Sequence, residues 1–281
     1  MELKAQNSRL IINPSRGAAM EELTLDGLDV IKPQENYHFE SSLLFPFPNR
    51  LSEGRFQFAG ETFLFEKNDF GLPNALHGLI HDMLFERIDQ DEQSLSLELR
   101  YAGDEKSFPF PFDFKISYQL QQKSLDIKVE VINSGNSDFP FGFGWHPYFL
   151  VGNTAYTALQ LEKVDKVEVN DKMLPTGLRS PFLAFQENTV VAGHALDNCF
   201  AFEDLKSRNK TLLTLPDKKG TLEIWQDEHF PYVQVFTPGD GQTIAIEPMT
   251  CNIDALNNGE GLNTLAAQEA WSAEFGLILK K

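Results

Sequence analysis

Short runs that alternate apolar and polar residues, each closed by a cluster of turn formers, recur along almost the whole 281-residue chain. A period of two is the pattern of strands with one face in a core, and it leaves no room for long amphipathic helices. Phe56-Gln57-Phe58 and Thr62-Phe63-Leu64-Phe65-Glu66 flank Ala59-Gly60-Glu61, which reads as a hairpin. Leu95 to Leu99 alternates cleanly, and residues 114–120 and 125–132 form a second hairpin across Gln121-Gln122-Lys123-Ser124. Asn133-Ser134-Gly135-Asn136 then turns the chain. Further strands are expected over 159–169, 211–215, 221–225, 232–237, 243–247 and 272–279. No longer segment holds a 3.6-residue period with caps, so helices should be single turns, near 254–258 and 265–269.

Many short strands without alternating helices predict an all-β fold, a sandwich or a barrel with few short helices, in a single domain over 1–281. The 24 phenylalanines suit a thick core between two sheets. A net charge of −17 opposes binding to nucleic acid or to an anionic membrane, and no run of Lys or Arg offers a phosphate site. A neutral ligand meets no such penalty. The first residues, MELKAQNSRL, lack an apolar leader, and no later run is long enough to span a bilayer, so a soluble cytoplasmic protein is expected. Cys199 and Cys251 are too few for a disulfide framework and read as small buried residues.

Residues 141–149, Phe-Gly-Phe-Gly-Trp-His-Pro-Tyr-Phe, hold the first candidate for chemistry, His146. Pro147 withholds a donor and biases His146 to an extended conformation, at the end of a strand or at an irregularity in one. Gly142 and Gly144 leave space for a close approach. A satisfied sheet histidine is the competing reading. Arg50, after Asn49 and the stiff entry Pro46-Phe47-Pro48, offers fixed donors to hydroxyl or carboxylate oxygens, or makes a surface ion pair. His77 sits in Leu76-His77-Gly78, and its four-residue spacing to His81 resembles a helical metal site, but Gly78 and the missing glutamate argue against a metal. In the strand 243–247, Ile244 and Ile246 point one way and Glu247 the other, at the strand's end before Pro248. A carboxylate there is either a general base or a solvated glutamate. Gln234 and Phe236 share a face of the preceding strand, and Asp197-Asn198 either accepts ligand hydroxyls or makes an Asx turn. Phosphate loops, nucleophile elbows and dinucleotide fingerprints are absent from the sequence.

Taken in order, Asn49-Arg50, Leu76-His77-Gly78, His146-Pro147-Tyr148-Phe149, Asp197-Asn198-Cys199-Phe200, Tyr232 to Thr237 and Ile246-Glu247-Pro248 resemble the motifs of the aldose 1-epimerase (galactose mutarotase-like) family across nearly the whole chain. The resemblance implies a large antiparallel β-sandwich with an open sugar cleft, and a cofactor-independent isomerase that needs no metal. It places the general base on Glu247, the general acid on His146, and sugar contacts on Asn49, Arg50, His77, Asp197 and Gln234. Pro147 stands where the galactose mutarotases proper have threonine, as in divergent bacterial branches of the family.

The implied reaction interconverts the α and β anomers of an aldose by acid–base ring opening and closure. Free Glu and His values near 4.3 and 6.5 lead to the expectation of an ionised Glu247 facing a partly protonated His146. Three alternatives stand beside it. One is a hexose-6-phosphate epimerase; another is a non-catalytic carbohydrate-binding protein using Trp145, Trp225 or Phe236 as a platform. The third is a glycoside hydrolase or lyase built on Glu247 and Asp197, which leaves the histidines without roles. A monosaccharide partner and a monomer or weak homodimer are expected.

Overall fold

The structure, a computed structural model, describes residues 1–33, 38–216 and 219–281. The alternating runs form antiparallel ladders gathered into two large sheets. The nine-stranded sheet runs from Glu86–Gln90 through Ser94–Tyr101, Phe112–Leu120, Ser124–Asn133, Ala270–Lys280, Gly220–Gln226, Asn209–Leu215 and Ala158–Leu161 to Thr189–Val190. The eight-stranded sheet runs from Pro175–Phe182 through Val164–Val169, Asp197–Phe202, Tyr232–Phe236, Thr243–Met249 and Gly144–His146 to Ser42–Leu44, and Tyr148–Leu150 also pairs with Thr243–Met249. A smaller sheet of four strands covers Glu2–Ala5 to Leu28–Ile31.

The expected sandwich is present, and aromatic rings join its two layers. Phe143 and Trp145 of one side lie 6.0 and 5.4 Å from Phe275 of the other, and Phe114 lies 5.6 Å from Phe143. The period of two decides which side chains enter this core. Phe112, Phe114, Ile116, Tyr118 and Leu120 are buried along one strand, while Ile244 and Ile246 enter the same core from the other sheet. At about 25 cal/mol per Å² of apolar surface, each such ring or branched chain contributes roughly 1.5–3 kcal/mol.

Two expectations need correction. The run 159–169 is two strands, Ala158–Leu161 in the nine-stranded sheet and Val164–Val169 in the eight-stranded sheet. The chain crosses between layers at Glu162-Lys163, where Glu162 accepts hydrogen bonds from Lys206 Nζ and Lys210 N. At 265–269 there is no helix: Asn263–Leu265 pairs with Phe139–Phe141, and Gln268 takes a left-handed φ of 65°. The helical turn near 254–258 is present as Ala255–Asn258 and stops at Gly259, with φ 77°. Among the described residues no helix is long and apolar enough to cross a membrane.

The space at Gly142 and Gly144 is taken by the protein itself. A Cβ on Gly142 would stand 2.2 Å from Cys251 Sγ, and one on Gly144 would stand 2.8 Å from Pro48 Cβ. These glycines let the strand leading to His146 press against the loop of Pro46 to Pro48 and against Cys251, which is fully buried. We therefore predict that Gly142→Ala lowers stability by about 1–3 kcal/mol through overpacking, and that adding Cys251→Ala restores part of the loss. Urea unfolding checks both, and a Gly142→Ala protein as stable as wild type would refute the packing argument.

Candidate active site

Glu247 lies on the face of Thr243–Met249 opposite Ile244 and Ile246, yet every residue of this strand is buried. The reading of a solvated strand-end glutamate is therefore excluded: Glu247 is 2% exposed. Gln234 is its direct cross-strand partner, and Asp197 pairs with Phe236 one strand further on. Strand order thus sets a carboxyl, an amide and a second carboxyl side by side. Gln234 Nε2 donates to Asp197 Oδ1 at 2.7 Å, so Asp197 is tied to the sheet rather than making a local turn.

His146 reaches Glu247 from the neighbouring strand, with Nε2 3.5 Å from Oε1. Pro147 separates Gly144–His146 from Tyr148–Leu150, as its missing donor requires at a break in a ladder. The imidazole stacks on Tyr148, with ring centres 4.9 Å apart, and meets His77 edge-on at 5.2 Å.

Loops supply the rest. Asn49 and His77 both have left-handed backbones, φ 58° and 67°, a strained choice for residues other than glycine. They hold one another: His77 N donates to Asn49 O at 3.0 Å, and Asn49 N donates to His77 Nδ1 at 3.2 Å. Because Nδ1 accepts, a neutral His77 carries its proton on Nε2 and is a donor there. Arg50 Nε donates to Asp69 Oδ2 at 2.9 Å and Nη1 to Asn49 Oδ1 at 3.4 Å. Asn74 Nδ2 donates to the same Asp69 oxygen at 2.9 Å. Arg50 is thus not in a surface ion pair but in one whose side chains are 14% and 7% exposed.

Asn49, Arg50, His77, His146, Asp197, Gln234 and Glu247 all line one cleft of about 390 Å³, with His38, Phe39, Phe70, Tyr148, Phe236 and Pro238 around them. That volume is ordinary for a small-molecule site. A larger depression of about 710 Å³ borders it along Asn68 and Leu76 but includes none of those seven residues. Convergent polar groups, not size, mark the smaller cleft as the candidate site. Glu247 Oε2 and Gln234 Oε1 are buried without a hydrogen-bond partner among the described residues, the state of acceptors turned towards a ligand that carries hydroxyls.

Sequence reasoning missed Asp69 and Asn74, whose loop shows only turn-forming composition. It also missed Phe39, His38 and Phe70, which approach through the fold. Two proposed platforms fail: Trp145 is buried against Phe275, and Trp225 is buried in the nine-stranded sheet beneath the Arg208 guanidinium. Phe236 does line the cleft. His81 packs edge-on against Phe39, and no three His, Cys, Asp or Glu side chains among the described residues are grouped to hold a metal ion.

Burial governs the charges. It pushes Glu247 well above the ordinary carboxyl range, with Asp197 adding to the rise and Arg50 opposing it. The same desolvation pushes His146 down to about 4. His77 is held well below its usual value by burial, then by His146 and Arg50. Both shifts run against the expectation of a partly protonated His146 facing an ionised Glu247. Burial thus favours the uncharged form of each partner, and passing a proton from the carboxyl to the imidazole creates the ionised form without a proton from solvent.

The family model of aldose 1-epimerase matches residues 1–277. The chain belongs to the aldose 1-epimerase family. Its similarity extends to the uncharacterized protein YihR of Escherichia coli K12, 24% identical over 257 residues that cover 86% of this chain and 81% of that one. In fold it is similar to a galactose mutarotase-like protein from Clostridium acetobutylicum, with TM-score 0.88, 21% identity, and coverage of 100% of this chain and 94% of that one. The GalM/aldose epimerase homologue from C. elegans superposes with TM-score 0.85 at 17% identity, over 99% and 97% of the two chains.

A proton is refused by folded His146 but taken up by the unfolded chain between pH about 6.5 and about 4. Stability from this residue is accordingly full above that window and is lost as pH falls through it. NMR titration of the imidazole should find it neutral at pH 6, and His146→Asn should flatten the stability slope across the same window. An imidazole titrating near 6.5 would contradict the assignment.

Proposed function

We propose that this member of the family is an aldose 1-epimerase that interconverts the α and β anomers of a neutral aldose. The observation that carries the reading is the buried Glu247–His146 pair, 3.5 Å apart, in a cleft whose other walls present hydrogen-bonding groups. Glu247, as carboxylate, removes the proton of the C1 hydroxyl while His146, as imidazolium, gives one to the ring oxygen. The C1–O5 bond breaks and C1 becomes an aldehyde. Rotation about C1–C2 presents the other carbonyl face, and reclosure returns both protons. The pair starts and ends with the same single proton, so the cycle needs no outside acid or base.

Residue types fit the remaining roles. His77, neutral and donating from Nε2, suits an oxygen that gains charge as the ring opens. Arg50, Asn49, Asp197 and Gln234 supply donors and acceptors for several hydroxyls, which holds the ring while C1 turns. A hexose 6-phosphate fits less well, because Arg50 is the one Lys or Arg among the described lining residues and is already paired with Asp69. Hydrolysis at Glu247 and Asp197 would leave both histidines idle.

The test is anomer exchange by NMR on a panel of aldoses, with the spontaneous rate subtracted. Glu247→Gln and His146→Asn should each lower the rate by roughly 10²–10⁴-fold while the fold persists. Near-wild-type exchange in either variant would remove that residue from the mechanism. In wild type, the acid limb of kcat/KM should lie near the His146 value of about 4, where the pair takes a second proton and the base is lost. A limb at 6.5 would instead mean that a solvated histidine controls the rate.

A further inference from the structure

We infer that Asp69 is a specificity-determining residue: by cancelling the charge of Arg50 from behind, it makes the cleft select neutral over anionic sugars. The inference deepens the proposed epimerase reading and rests on it.

Arg50 alone among the described lining residues carries a Lys or Arg charge, and an arginine facing a ligand is ordinarily a hook for carboxylate or phosphate. Here its Nε is bound by Asp69 Oδ2 at 2.9 Å, outside the lining of the cleft. The carboxylate is fixed in turn. Asn74, fully buried, donates to that oxygen at 2.9 Å and to the Lys172 carbonyl at 3.0 Å, so the loop holds Asp69 in place without help from a ligand. With so little exposure, solvent and salt screen the pair weakly.

On the ligand side Arg50 shares the cleft with two acidic residues, Asp197 and Glu247. A sugar carboxylate or phosphate placed there meets a guanidinium already balanced by one anion and faces further acidic oxygens. Hydroxyls lose nothing by this arrangement, because the guanidinium keeps donors that Asp69 does not occupy. Asp69 turns Arg50 from an anion hook into a neutral hydrogen-bonding plate. It touches no reacting atom; it acts through Arg50.

Asp69→Asn keeps the shape and an acceptor for Nε but removes the charge. The experiment measures kcat/KM for anomer exchange on a hexose, its 6-phosphate and the corresponding hexuronate, with binding titrations of all three. Wild type should favour the hexose. In Asp69→Asn the anionic-to-neutral ratio should rise roughly tenfold or more, and added salt should shrink the gain. An unchanged ratio, or equal losses on all three sugars, overturns the proposal by reducing Asp69 to a structural support. Wild-type protein gives a check that does not depend on the variant's folding: its affinity for the anionic sugars should improve as salt screens repulsion, and a decline would overturn the proposal. If wild type accelerates exchange of no sugar, the epimerase reading fails, while the titrations still decide the charge preference.

Discussion

A carboxyl and an imidazole kept out of water within 3.5 Å of each other is the condition on which the rest of this molecule depends. In water the two would ionise independently and transfer protons to solvent. Desolvation moves Glu247 up and His146 down, which brings the proton affinities of the two groups together and disfavours the charged form of each. Achieving this needs a strand buried on both faces, which an ordinary half-buried strand does not provide. Thr243–Met249 meets the condition because Ile244 and Ile246 enter the sandwich core while Glu247 faces a cleft roofed by loops.

Those loops are held by means other than apolar packing. The left-handed backbones of Asn49 and His77 cost energy, and their reciprocal hydrogen bonds offset part of it, while the buried Arg50–Asp69 pair anchors the same loop. A buried ion pair contributes little net stability, since the desolvation of both charges opposes their attraction. Its value here is positional: it fixes the Arg50 guanidinium in the wall of the cleft that also holds Glu247 and His146. The sandwich supplies the stability that this strained rim consumes, with Phe143, Trp145 and Phe275 packed directly behind the strands that carry Glu247 and His146.

Much of the fold was legible because strand alternation is a local property. The hairpin 114–120 with 125–132 appears where the alternation places it, and the ladder extends it only at the open end, to Phe112 opposite Asn133. The crossing at Glu162-Lys163 was not legible, since alternation reports which face of a strand is buried but not which sheet the strand joins. The seven candidate site residues were found from motif order, and all seven lie in one cleft. Trp145 and Trp225 misled for the opposite reason: a large aromatic residue looks alike in sequence whether it faces a ligand, a core as Trp145 does, or a covering side chain as Trp225 does.

By itself the sequence determined the strand content, the acidic surface that disfavours anionic partners, and the pairing of a glutamate with a histidine as the chemical candidates. The first two follow from composition and period, which are properties of single positions or of near neighbours, and the third from the order of motifs that resembles the family's. Only the tertiary structure decided that Glu247 is buried rather than solvated, that His146 rests neutral, and that Asp69 stands behind Arg50. Each of these depends on groups far apart in the chain and on the exclusion of water between them. Dielectric environment is a property of the assembled fold, and it sets the proton inventory of this site.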